Sequence, residues 1–431
     1  MTTVPLASGS LTPARASAEI GPIVVALGGS DVSGVLSAAR LFESTAVGGM
    51  LAVSVLEPIL AYFTGDSPPI LAPGFEEERT SGRLATMARE MSDAGIGAGW
   101  QTRVVYGDPS FGIASLARSQ HAPLIVMGIG RRRPLDRLFG LETAARTIRR
   151  ATCPVLAVTA TVKVPFREAV VATDFSLASI SAARAIVPLL ANPSVLHLVH
   201  VWERNMVDDD RLQALNEAYV ASLPAKFAHL RELLSVPKGV TVKQEVREGN
   251  VAEHILTFAE ARHADVIVAG RHGLGAIERL FVGSVTTTLL HGTTCSVLIA
   301  PEPTSSERDS ILRRMTGTSE SRVPSEWFAL LDAFTRRNIG RPTTVEIDDV
   351  ALGAQVLETG YALQGATYDH HDRCVELMLG DGATRHLTRT IAGVDSVAVY
   401  TDQLGRDSAL MVAHGPGKTL LTFVAGSQGR R

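Results

Sequence analysis

Met127-Gly-Ile-Gly-Arg-Arg-Arg-Pro-Leu-Asp-Arg-Leu-Phe139 and Ala269-Gly-Arg-His-Gly-Leu-Gly-Ala-Ile-Glu-Arg-Leu-Phe281 are two versions of one segment. Gly128 falls on Gly270, Arg137 on Arg279, and Leu138-Phe139 on Leu280-Phe281, an offset of 142 positions (270 less 128). Downstream, Thr152-Cys-Pro-Val-Leu156 falls on Thr294-Cys-Ser-Val-Leu298, and upstream Gly107 falls on Gly249, both at the same offset. Ile23-Val-Val-Ala-Leu27 sits opposite Ala169-Val-Val-Ala-Thr173 at an offset of 146, so a few residues of loop length differ between the copies. So long a period marks a duplicated domain rather than a solenoid repeat.

Within the second copy, short apolar β-branched runs alternate with stretches of helical spacing. The spacing predicts strands at Ala169–Thr173, Val195–Val201, Val240–Val246, Asp265–Ala269 and Ser296–Ala300. Between them it predicts helices over Ser176–Ala191, Asp210–Leu234, Val251–Arg262 and Ser284–His291, the first with Ser176 as its N-cap. The first copy repeats this, with strands near Ile23–Leu27, Met50–Val55, Thr102–Tyr106, Leu124–Met127 and Pro154–Val158. Strands joined through helices imply right-handed crossovers and a parallel sheet covered on both faces. The fold class is therefore α/β, with two tandem five-stranded parallel open sheets spanning residues 19–160 and 163–302.

The second copy carries Gly270-Arg-His-Gly273, nine further residues, and then Gly283-Ser284, between its fourth strand and its last helix. Glycines at 270 and 273 allow close backbone approach and positive φ. A helix opening at Gly283-Ser284 points unpaired N–H groups and a positive dipole end at an anion, and the Ser284 hydroxyl adds a donor. Asp174 ends the first strand, where a carboxylate can accept hydrogen bonds from ribose hydroxyls. In an open parallel sheet, ligands sit in the crevice at the carboxyl ends of neighbouring strands from which the chain leaves in opposite directions. The same residues admit plainer roles: Gly270 and Gly273 as a tight turn, Gly283 as a packing glycine, and Asp174 as a cap for the helix beginning near Ser176.

This constellation resembles the G-x2-G-x9-G-[ST] signature of the universal stress protein family, and the resemblance covers both α/β copies. It implies the strand order 3-2-1-4-5 and a bound adenine nucleotide: ATP, ADP or AMP, with or without Mg. It also implies that the Val201 backbone contacts adenine, that Ala172 lines the same side, and that Ala269, His272 and Val285 line the phosphate side. In the first copy Gly28 stands for Asp174, Arg131 for Gly273, and Leu141-Glu142 for Gly283-Ser284. A negative charge and a Cβ where phosphate needs neither predict that this copy has lost the site, leaving Arg131, Arg132 and Arg133 as a solvated basic loop.

No Lys-[ST] follows a Gly-rich loop, and neither a G-x-S-x-G elbow nor a convincingly spaced carboxylate pair is present, so no catalysis is expected and slow hydrolysis of bound ATP would be incidental. Residues 303–322 are polar and read as a linker. Beyond them, residues 323–429 predict a mainly-β domain, a small barrel or sandwich, after an amphipathic helix bearing Trp327, Leu330, Leu331 and Phe334. It resembles a small uncharacterised bacterial domain with such a helix ahead of its strands. Its Asp369-His370-His371-Asp372 reads as a polar hairpin turn rather than a metal site, since neighbouring side chains in a strand point oppositely.

Composition limits the rest. Charged residues make up 20% of the chain and the net charge is −3, which call for neither nucleic acid nor an anionic membrane. No apolar run reaches the ~20 residues of a membrane span. Residues 1–18 read as a disordered tail without the features of a secretory signal. Cys153, Cys295 and Cys374 form no CxxC pair, which fits a reducing cytoplasm. The expected role is a stress-response protein that binds an adenine nucleotide in its second copy and acts as a sensor or regulator. The competing reading is a scaffold of paired copies in which nucleotide binding is vestigial. Edge strands of the two copies are expected to pair within the chain, and a homo-oligomer is compatible with that.

Overall fold

The computed structural model describes residues 20–28, 32–44, 46–57, 74–97, 99–129, 134–159, 162–202, 210–271, 284–301, 303, 311, 317–349, 353–380, 386–401, 405–415 and 417–423. The expected tail at 1–18 lies outside them.

The first copy comprises β1 (Ile23–Ala26), α1 (Val32–Arg40), β2 (Met50–Leu56), α2 (Phe75–Asp93), β3 (Gln101–Tyr106), α3 (Pro109–Ser119), β4 (Ile125–Gly128), α4 (Pro134–Arg150) and β5 (Val155–Val158). The second comprises β6 (Phe166–Ala172), α5 (Leu177–Ile186), β7 (Leu190–Trp202), α6 (Asp210–Leu234), β8 (Val240–Glu248), α7 (Val251–Ala261), β9 (Val266–Gly270), α8 (Ser284–Gly292) and β10 (Ser296–Ala300). Central strands are apolar on both faces because helices cover both: Val24, Val25, Val170 and Val171 are fully buried. Their side chains divide between two cores, one on each face, and each core draws residues from both copies.

The ten strands form one sheet in the order β3-β2-β1-β4-β5-β10-β9-β6-β7-β8. Each half keeps the parallel order 3-2-1-4-5, and the halves join where β5 pairs antiparallel with β10, Leu156 opposite Leu298. The duplication extends to local geometry. Gly107 and Gly249 both take positive φ, 134° and 125°, after the third strand of their copy. Each precedes an N-cap that accepts from a backbone N–H three residues on, Asp108 from Phe111 and Asn250 from Glu253.

The C-terminal region forms one eight-stranded antiparallel sheet. Its strands are β11 (Gly317–Ser321), β12 (Pro342–Asp349), β13 (Gly353–Asp369), β14 (Cys374–Gly380), β15 (His386–Ala392), β16 (Val394–Thr401), β17 (Asp407–His414) and β18 (Gly417–Phe423). The order is β11-β16-β17-β18-β12-β13-β14-β15, so the outermost described strands stay unjoined and neither a closed barrel nor a two-sheet sandwich results. Helix α9 (Pro324–Asn338) buries Trp327, Leu331 and Phe334 against one face of this sheet, the side its apolar spacing predicts. Strand β11 falls within the segment read as a linker. Its Gly-Thr-Ser-Glu-Ser sequence has no apolar run, and it is a strand because it pairs with β16 at the sheet edge. Ile311, in the same segment, is buried in a core of the α/β sheet.

Candidate functional site

The carboxyl ends of three adjacent strands define the site. Ala172 pairs with Val199 across β6 and β7, and Val171 pairs with Val268 across β6 and β9. Ala172, Val201 and Ala269 therefore lie at one end of the sheet, at the switch between the neighbouring strands β6 and β9. Val201 and Ala269 are buried, and Ala172 and Val285 are half-buried.

Asp174 is half-buried just past β6. Its Oδ1 accepts from the Ser176 N–H at 3.0 Å and from the Ser176 hydroxyl at 2.6 Å. Ser176, not Asp174, is the N-cap of α5, accepting from the Ser179 N–H at 3.2 Å. Asp174 thus orients the cap. Gly270 is held tightly: a Cβ there would lie 3.0 Å from the backbone and Cβ of Ala178 and 3.1 Å from the Ser179 nitrogen. Its missing side chain is what lets β9 approach the first turn of α5, the helix that Asp174 helps begin. Thr286, buried in α8, donates to the Gly270 carbonyl at 3.3 Å and fastens that helix to the end of β9.

Ser284 and Val285 lie in α8, whose described residues run from Ser284 to Gly292. His272, Gly273 and Gly283 lie outside the described residues, as do Arg131, Arg132 and Arg133 of the first copy.

Four residues that periodicity does not single out complete the surroundings. Phe175 takes φ of 64°, unusual for a bulky side chain, and its ring lies 4.9 Å from the His200 ring and 5.0 Å from that of Phe227. The His200 Nδ1–H donates to the Thr173 carbonyl at 2.7 Å, and burial pushes the imidazole pKa below its ordinary value. The Lys226 ammonium stands 5.6 Å over the Phe175 ring. Arg271, the second residue of the Gly-Arg-His-Gly loop, turns away from β6. Its guanidinium donates to the carbonyls of Ala151 at 2.9 Å and Arg149 at 3.2 Å, at the C-terminus of α4 in the other copy. A cation there complements the negative end of the helix dipole.

In the first copy the matching positions are helical. Leu141 and Glu142, which align with Gly283 and Ser284, lie well inside α4 rather than at its start. Leu141 is buried, and Glu142 pairs with Arg146 one turn on. The charge of Glu142 is therefore spent along a helix face.

The acidic-histidine run of the C-terminal domain is a turn between β13 and β14. Asp369 Oδ1 accepts from the N–H groups of His371 at 2.7 Å and Asp372 at 3.3 Å, which hold its carboxyl below the usual range. No cluster of three metal-ligating side chains occurs among the described residues. Cys153 is buried, its thiol pushed up to about 12 by desolvation, as fits a packing residue. No helix among the described residues is long and apolar enough to cross a membrane.

A duplicated open α/β sheet whose second half keeps Asp174 and the Gly-Arg-His-Gly segment is the class of molecule that fold and sequence together define. The universal stress protein family matches residues 19–159 and 165–301, and the chain belongs to that family. Residues 321–425 match a family of unknown function, DUF5335. The chain is 38% identical over 65 residues to a universal stress protein of Methanocaldococcus jannaschii, covering 15% of this chain and 38% of that protein. It is 38% identical over 61 residues to one from Synechocystis sp., covering 14% of this chain and 40% of that protein. It thus spans well under half the length of these curated relatives. Among solved structures it is similar to a universal stress protein from Archaeoglobus fulgidus, at 19% identity and TM-score 0.43 over 65% of this chain and 96% of that one. It is also similar to a universal stress protein in complex with cAMP, at 18% identity and TM-score 0.26 over 32% of this chain and 99% of that one.

Proposed function

We propose that the second copy binds an adenine nucleotide, ATP or its ADP or AMP relatives, and that this chain acts as a non-catalytic sensor or regulator in the cytoplasm. The observation that carries the reading is the convergence of Ala172, Val201 and Ala269 at the strand ends, beside Asp174 and the first residues of α8. In this reading Asp174 meets the ribose, the Val201 backbone meets adenine, and Gly270, His272, Gly273, Gly283, Ser284 and Val285 surround the phosphates, with Mg as a companion ion. The β5–β10 pairing takes the part that a second subunit would otherwise play, and homo-oligomers remain compatible with it.

Two observations favour a second reading, a scaffold with vestigial binding. Asp174 already orients the Ser176 cap, and Gly270 already serves the close packing of β9 on α5. Isothermal titration separates the two. Wild type should bind ATP, and Asp174→Ala and Gly283→Glu should each weaken it by roughly tenfold or more, since a hydrogen bond to a charged group contributes about 1.5–3 kcal/mol. Wild type that binds ATP no better than Gly283→Glu leaves only the scaffold. Mass spectrometry of protein purified without added nucleotide would identify the ligand.

A further inference from the structure

A groove of about 350 Å³ opens where the two copies meet, and its lining is strongly basic. Arg118 of α3, Arg149 and Arg150 at the end of α4, and Arg271 just past β9 all line it, and no carboxylate is among the described residues of the lining. Part of this charge serves the fold. Arg271 donates to the Arg149 and Ala151 carbonyls, and the Arg118 guanidinium donates to the Arg150 carbonyl at 3.2 Å. These bonds cover the carbonyl end of α4, whose dipole amounts to only about half a negative charge. The cations outweigh it.

Arg118 and Arg150 carry the surplus. Both are exposed, and neither is ion-paired with a carboxylate among the described residues; Asp108 and Glu142 pair with Arg146 instead. A guanidinium has five donors. Arg118 spends one on the Arg150 carbonyl, and Arg150 spends one on the Ser110 hydroxyl at 2.7 Å. The planar fork of the remaining donors suits phosphate oxygens. Phe111 lines the same groove and is 62% exposed, and no ring or cation among the described residues stacks on it. It offers a flat apolar platform to an aromatic group.

The fold itself does not call for this surface. At the offset of 142 (260 less 118), the second copy has Glu260 for Arg118, His291 for Arg149, Gly292 for Arg150 and Glu253 for Phe111, and the first copy has Ile129 for Arg271. Helix α8 ends at Gly292 without those arginines. The ring and the guanidinium groups thus occur at one of two equivalent places, although both copies share the same structural demands.

We propose that this groove binds a small organic phosphate bearing an aromatic group, its phosphate on Arg118 and Arg150 and its ring on Phe111. None of these residues belongs to the set assigned to nucleotide above, and the proposal does not depend on that reading. Phenyl phosphate and inorganic phosphate are titrated calorimetrically into the full-length chain. Wild type should bind phenyl phosphate about fivefold more tightly than inorganic phosphate, and Phe111→Ala should remove the difference. Arg118→Gln and Arg150→Gln should each weaken both probes roughly tenfold. Glutamine keeps a donor for the carbonyl or hydroxyl contact and removes the charge, so thermal unfolding of these variants should match wild type. Wild type that binds neither probe, or binds both equally, overturns the proposal. Phenyl phosphate binding that survives the double variant Arg118→Gln/Arg150→Gln also overturns it. If that surviving binding is lost in Gly283→Glu, the phosphate sits in the crevice of the second copy, and the nucleotide reading stands while this one falls.

Discussion

The two α/β copies agree in strand order, in the positive-φ glycine after the third strand and in the capped helix that follows, yet they part after the fourth strand. In the first copy helix α4 runs through Leu141 and Glu142, and its C-terminus receives Arg271 from the other copy. In the second, Ser284 also lies in helix, in α8, and Thr286 ties that helix to Gly270. One copy offers a helix end as an interface, and the other supplies the cation that meets it. The second copy keeps the Gly270-Arg-His-Gly273 and Gly283-Ser284 pattern that the first has lost. Duplication allows this because the joined sheet draws its cores from both copies, while the segments after the fourth strands can diverge.

The comparison can be broken by exchanging its parts. Gly270→Ala should have the largest effect on folding. The new Cβ meets Ala178 backbone at 3.0 Å, and crowding of this kind costs about 1–3 kcal/mol, read as a lowered thermal midpoint of the full chain. Arg271→Ala should follow at about 1–2 kcal/mol, because the carbonyls that end α4 lose a half-buried cation from the other copy. Wild-type-like unfolding of Arg271→Ala would mean that the copies do not depend on this contact.

Smaller effects test the shared features. Asp108→Ala and Asn250→Ala should each cost about 1 kcal/mol as lost N-caps, and nearly the same amount if the duplication is energetic as well as geometric. They should differ in pH dependence. The Ser110 hydroxyl and then the Phe111 N–H hold the Asp108 carboxyl below its ordinary 3.8. A depressed folded value means that the stabilisation is present above the unfolded value and disappears as pH falls through the folded one. The difference between wild type and Asp108→Ala should therefore shrink in acid, whereas that for Asn250→Ala should not, in unfolding melts from pH 7 to pH 3. Smallest of all, Gly28→Ala should stay within about 0.5 kcal/mol of wild type. Among the described residues no atom stands within 4 Å of the new Cβ, at the position that matches Asp174.

Much of this was legible in the chain. The repeat, the five strands of each copy and the amphipathic helix around Trp327 follow from runs and periods, which record burial directly. Strands β11 and β15 were not legible: Gly-Thr-Ser-Glu-Ser and His-Leu-Thr-Arg-Thr are strands through pairing at sheet edges, where one row of hydrogen bonds suffices without an apolar run. The residues around Asp174 divide the same way. Asp174 and Gly270 belong to a recognisable pattern. Phe175, His200 and Lys226 do not, since their relation is a tilted ring contact, a cation over a ring and a hydrogen bond to a carbonyl, between separate elements.

The sequence by itself determined that there are two copies, that each is an open parallel sheet, and that only one retains the glycine and aspartate pattern, because local periodicity and residue type carry that information. Only the tertiary structure decided that the two sheets become one, that Arg271 serves the other copy's helix, and that the third domain rests on Leu177 beside Asp174. Those facts depend on contacts between residues more than a hundred positions apart, and such contacts leave no period in the chain to be read.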